Sequence, residues 1–352
     1  MHQLRDPRQG PHRPTTATPA RRPGSVRRTT AITSLRPDGL QGPLHQHGRG
    51  RDLMTASDGD ATVVAESEAH LLTEYTQGML VREVSVVPEV PGTEQFVGAR
   101  AGGGFRKVLD LQTGAERGSL PYLLLDDVPG ATLVSGMAMS IASDEGAVDL
   151  DSWRGRVNKT EIRLQQADIC AGWQSGGTLL ANLEDGRPPV LLGPDAPDIA
   201  DPDDPLGWIA FEPLPAYATR RIRRLDVWRT STSDGDVVHA DVFFRDTCTD
   251  GDANETVVHE YTVATTVDPD TMVITACAAD ARVLPWTECP QAVASAGRLV
   301  GWSVDDLRPE ARAQLVGPST CTHLNDVLRG LEDVHWLTNL LPTSRGCVTR
   351  GG

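Results

Sequence analysis

The sequence predicts an α+β protein: an antiparallel sheet with C-terminal helices packed on one face, preceded by a strand-rich domain. Three observations predict it. Runs rich in β-branched and aromatic residues at 237–244, 257–267 and 272–276 are separated by turn residues. Beyond them, Leu324, Val327, Leu328, Leu331 and Val334 recur at three- and four-residue steps, the apolar stripe of a helix packed on a sheet. Upstream, from Ala61, short apolar runs alternate with Gly, Pro and Asp.

The 352 residues suffice for two ordinary domains. Residues 1–53 carry 10 Arg, 3 Asp and no Glu, with many Pro and Gly, and follow neither the helical nor the strand period. They read as a disordered basic tail. Such a tail suits an acidic partner or a mitochondrial-type presequence; alternatively, translation starts at Met54 and the upstream stretch is a mis-called start, as the ratio of 31 Arg to 2 Lys suggests a GC-rich genome. His45 and His47 fall in this tail and receive no role. Residues 54–200 form the strand-rich N-terminal domain, with apolar runs at 79–87, 123–125 and 132–142. LLLDDVPGA reads as a strand ending in a turn at Asp126 and Asp127, and Gly102 to Gly104 as a flexible turn. No Lys and hydroxyl follow in the frame of a phosphate loop. Residues 201–215 are the linker; Pro interrupts the Asp201, Asp203, Asp204 run, unlike the regular ligand spacing of a calcium loop.

Residues 216–341 form an α+β module. A strand over Arg220 to Arg229 and the three runs above make a meander of about four strands, the last two joined by an Asp-Pro-Asp-Thr turn. Pro290 at a first helical position and Gly301 as a stop predict a helix over 290–300; a second runs over 309–316, and a third starts near Thr320. The tail, 342–352, is expected to fray.

Beyond residue 53 the chain carries 23 basic and 45 acidic residues, within an overall net charge of −15. That balance disfavours nucleic acid and anionic membrane surfaces, which need clustered cations. No apolar stretch approaches the roughly 20 residues of a membrane span, and no signal core is present. A cytoplasmic location follows as an expectation. There the six cysteines are core residues, ligands or nucleophiles rather than disulfides.

Cys289 and Cys321 both fall at predicted helix N-termini, where unpaired N–H groups favour a thiolate, so both are expected to ionise more easily than a free thiol. His259 opens a strand with Tyr261 on the same face and Glu260 on the other. His323 lies two residues past Cys321; on a regular helix the two point apart, so joint chelation requires Cys321 to be a non-helical cap.

TECPQAVASAGRLVG followed by CTHLND, with RRIRRLDVWRT, DGDVVHADVFFRD and VVHEYTVATTVD upstream, resembles the bacterial family of unknown function DUF2889, most densely over 220–334. The family implies no known activity. This chain departs from many members in Thr320, where they carry Gly, and in Glu260, where they carry Asp. The order of a strand ligand and two helix-heading cysteines is also similar to iron–sulfur cluster scaffold proteins, but their Cys-Gly-Asp is absent. A set of His259, Cys289 and Cys321, with His323 or Glu260 in fourth place, suits tetrahedral zinc better than a cluster. The alternatives are a metal-free enzyme with Cys289 or Cys321 as nucleophile and His259 or His323 as base, acting on an acyl or thioester substrate, and a non-catalytic binding or accessory module with core cysteines.

Overall fold

The alternating β-branched strands pair into one eight-stranded antiparallel sheet, ordered β4-β3-β2-β1-β5-β6-β7-β8. The structure, a computed structural model, describes residues 10–75, 78–149, 166–184, 193–233 and 235–342. The strands are β1 (Ser25–Leu35), β2 (Leu44–Thr55), β3 (Ala61–Glu74), β4 (Leu80–Val87), β5 (Thr219–Thr232), β6 (Gly235–Thr249), β7 (Glu255–Val267) and β8 (Ile274–Val283). The predicted C-terminal meander is therefore β5 to β8. Its last turn is closed by Asp268, whose Oδ1 accepts from the Asp270 and Thr271 backbone N–H groups at 3.1 and 2.9 Å. The helices are α1 (Phe105–Gln112), α2 (Leu120–Asp144), α3 (Thr178–Glu184), α4 (Leu307–Gln314), α5 (Thr322–Gly330) and α6 (Asp333–Thr338). Cys289–Leu299 is helical where a helix was expected, but of the tighter 3-10 kind. The expected frayed tail lies, apart from Pro342, outside the described residues.

Three expectations are corrected. First, residues 25–53 are not disordered: β1 and most of β2 lie there, at the centre of the sheet, and a chain starting at Met54 would lack both but for two residues of β2. Two of the arginines that gave the segment its disordered composition are buried in ion pairs. Arg27 and Arg28 are 2% and 1% exposed, the first bonded to Asp226 and the second to Asp52. Second, LLLDDVPGA is part of the 25-residue helix α2. Most of that helix is buried, so apolar residues surround it without a helical period, and Pro129 inside it mimics a turn. Third, residues 201–215 lie on the sheet rather than free between two bodies. Trp208 and Ile209 pack with Ile222 and Phe243, and Arg51 donates to the Leu206 and Trp208 carbonyls at 2.7 and 2.9 Å. The sheet continues through the expected domain boundary.

The two meanders repeat one another. Arg28 on β1 faces Asp52 on β2, and Arg221 on β5 faces Asp246 on β6. Both pairs are bidentate, at 2.7 and 2.6 Å in the first and 2.8 and 3.1 Å in the second. A bulge follows each aspartate, after Asp52 in the β2–β3 ladder and after Asp246 in the β6–β7 ladder. The sequences agree: Arg51-Asp52 precedes Thr62-Val63-Val64-Ala65-Glu66 by the same spacing as Arg245-Asp246 precedes Thr256-Val257-Val258-His259-Glu260. The meanders join through antiparallel β1 and β5, with Thr30 opposite Arg223 at the middle of the register. An approximate two-fold axis through that pair relates the halves.

One face of the sheet carries the helices. Phe244, Tyr261 and Val263 pack there against Leu324, Val327, Leu328 and Val334. Arg221 and Arg223 rise from the same face to meet Asp326 of α5 and Asp127 of α2. Arg308 and Arg329 close a buried network onto Asp126 and, for Arg308, Asp333. Gly130 admits this approach, since a Cβ there would come within 1.9 Å of Arg221 Nη1. The opposite face holds Arg245 and Glu260, paired at 2.7 Å and roofed by Thr15 and Pro197.

Candidate metal centre

Near the end of β6, Asp246 and His259 of β7 are cross-strand neighbours, and a bulge immediately beyond them shifts the register of the last three pairs. Helix α5 brings His323 down onto them in its first turn. The His259 and His323 rings stack with centroids 3.6 Å apart and planes inclined 19°. His259 Nδ1 lies 3.5 Å from Asp246 Oδ2. One nitrogen of each imidazole and one Asp246 oxygen all lie within 4.8 Å of one another.

The electrostatics of this triad follow from burial. Desolvation, followed by the neighbouring His259, lowers the His323 pKa to about 3, so the ring is neutral at physiological pH. Burial opposes ionisation of Asp246 too, yet the Arg221 charge and hydrogen bonds hold its carboxyl well below the usual range. An anionic oxygen therefore sits beside a neutral imidazole. His323 Nε2 is buried and takes part in no hydrogen bond, and the buried His259 Nδ1 has only its long 3.5 Å contact with Asp246 Oδ2, although buried polar atoms are normally well paired.

The residues singled out in the sequence divide among three places. His259 and His323 meet, as described. Cys321 is the non-helical cap of α5, with φ −131° and ψ 130°, and diverges from His323 into the apolar core with Cys289. Tyr261 shares the His259 face and is wholly buried in that core. Glu260 lies on the far face, where it binds Arg245, so it is no candidate ligand. Among the described residues, two groups of three or more His, Cys, Asp or Glu bring ligand atoms within 4.8 Å, and neither contains a cysteine.

The expectation of easily ionised thiols is also corrected. Burial, then the neighbouring Cys170, pushes Cys321 up to about 11, and burial with Cys321 beside it raises Cys289 well above the usual thiol range. Desolvation outweighs the helix N-terminus. Cys289, moreover, heads a 3-10 segment, and the residue before it, Glu288, is the cap. Neither thiol has the exposed, electropositive surroundings of a nucleophile.

Asp246 is the site residue that the sequence reading passed over. The signal was present in the repeated Arg-Asp and Thr-Val-Val segments, whose alignment places Asp246 with Asp52 and shows His259 standing where the first half has Ala65. The ion pair is common to both halves, and the histidine is particular to the second.

The helix-covered C-terminal meander with its His/Asp cluster falls within a matched family region: residues 219–336 match the model described as protein of unknown function DUF2889. The likeness to iron–sulfur scaffold proteins finds no support. No curated protein and no solved structure matches the chain. No helix among the described residues is long and apolar enough to cross a membrane.

Proposed function

We propose that the C-terminal half binds a divalent transition metal ion through Asp246, His259 and His323. The observation that carries this reading is the buried, unpartnered His323 Nε2 stacked beside His259, whose own Nδ1 is held only by a long 3.5 Å contact with the ionised Asp246 carboxylate. Two donors each about 2.1 Å from a zinc ion subtend a tetrahedral angle when about 3.4 Å apart. The 3.5 Å between His259 Nδ1 and Asp246 Oδ2 matches that separation. Nitrogen donors favour zinc and its neighbours over calcium or magnesium. Stacked rings direct their lone pairs along separate planes, so one imidazole must turn about its Cβ–Cγ bond to share an ion; that torsion has broad minima. Asp246 Oδ2 has the longer of the two Arg221 bonds, 3.1 Å, and is the oxygen facing His259. Arg221 keeps Oδ1 at 2.8 Å and so holds the ligand in place from behind, the role of outer-shell partners in metal sites. Three protein donors leave a position for water or a substrate, as in zinc sites that do chemistry.

The test is elemental analysis of tag-free protein carrying His47→Thr and His70→Thr, which removes a separate histidine cluster. One transition metal per chain, lost in His259→Gln and His323→Gln but kept in Cys289→Ala and Cys321→Ala, supports the reading. Metal lost in the cysteine variants but kept in the histidine ones, or a ratio near zero, overturns it.

A further inference from the structure

The second cluster lies in the other half of the sheet, on the opposite face. Strand β2 contributes His47 and β3 contributes His70, directly opposite in the ladder, with Glu68 two residues before His70 on the same side. The two imidazoles stack with centroids 4.1 Å apart. His47 Nε2 and His70 Nε2 lie 4.0 and 3.9 Å from one atom, Glu68 Oε2. The other carboxylate oxygen, Oε1, faces Arg49 Nε at 3.8 Å. One oxygen is thus turned to a cation of the chain and the other to two nitrogen lone pairs.

We propose that His47, His70 and Glu68 form a second, solvent-facing site for a borderline divalent transition metal such as zinc, nickel or copper. Three observations carry it. The donor set is two imidazoles and a carboxylate from adjacent strands, the kind that selects these ions over calcium or magnesium. Their ligand atoms all lie within 4.8 Å of one another, and a contraction of about 0.5 Å per nitrogen–oxygen distance brings them to the separation of a tetrahedral site. His47 Nε2 is buried and has no hydrogen-bond partner, although its side chain is 41% exposed overall. His70 is 55% exposed, so its ring is free to leave the stack and meet an ion.

The site opens on a cavity of about 390 Å³ lined by His45, His47, His70, Glu83 and Ser85 among others. The internal repeat shows that the cluster is particular to this half, because the matching positions in the second half are Asp241, Thr262 and Ala264, and Asp241 is taken by Arg224. Each half of the pseudo-symmetric sheet therefore carries one histidine pair of its own, buried under the helices in one and open to solvent in the other.

The test titrates chelator-stripped, tag-free full-length protein with zinc chloride in a calorimeter, without reference to any activity. Two binding events are expected in the natural chain. The double variant His47→Thr, His70→Thr, which keeps β-branched residues at half-exposed strand positions and so preserves the fold, is expected to lose one and keep the other. The double variant His259→Gln, His323→Gln is expected to lose the other and keep this one. A His47→Thr, His70→Thr variant that binds zinc with the natural stoichiometry and affinity overturns the proposal, whatever happens at His259 and His323. A Glu68→Gln variant supplies a second check: weaker zinc binding at this site supports ligation by Glu68, and unchanged binding overturns the three-ligand assignment.

Discussion

Lowering the pH should destabilise the metal-free protein through His323 in a way that one substitution removes. Its folded pKa is about 3, against 6.5 for an unperturbed imidazole. The folded value lies below the unfolded one, so between them the unfolded chain binds more protons, and stability falls as pH falls through 6.5. At pH 7.5 both states are neutral and the difference vanishes. At pH 5.0 the unfolded ring is almost wholly protonated while the folded ring is not, which costs about 2 kcal/mol. The buried carboxylates Asp246 and Asp326 are held below their usual range, so their contribution is lost only at lower pH and does not confuse this window. The assay is urea unfolding at pH 7.5 and 5.0 for the natural chain and for His323→Leu, both stripped of metal. The natural chain should lose about 2 kcal/mol more than the variant between the two pH values. Equal losses would refute the claim that burial keeps His323 neutral.

Two further outcomes follow from the same geometry. Arg221→Met leaves the fully buried Asp246 carboxylate without its bidentate partner, and Arg28→Met does the same to Asp52, so each should lower stability by about 3–5 kcal/mol in urea titrations; a loss below about 1 kcal/mol for either contradicts the buried-network account. Iodoacetamide at pH 7.5 should leave Cys289 and Cys321 unlabelled in the folded chain and label both in urea, as mass spectrometry would show; prompt labelling of the folded protein would mean that the helix N-terminus outweighs burial after all.

Local chemistry made the second half legible. Strands β6 and β7 and helix α5 declare themselves because each sets an apolar face on the core, which leaves a strand or helix pattern in part of the sequence. The first half defeats that logic twice. Residues of β1 are buried as charged side chains, so Arg27 and Arg28 look like solvent-facing residues until Asp226 and Asp52 are placed beside them. Helix α2 is buried on most sides and so shows no period at all.

By itself the sequence determined the α+β class, the C-terminal elements, the resemblance over the matched region, and the presence of His259 and His323 on a strand and a helix start. Tertiary structure alone decided which groups meet. It set Asp246 against His259 by placing a bulge after that pair, turned Cys321 away from His323 through an extended cap, sent Glu260 to the far face, and joined His47, Glu68 and His70 across a strand pair. The reason is physical: periodicity records whether a position is buried, whereas ligand contacts depend on register and on the packing of elements distant in the chain.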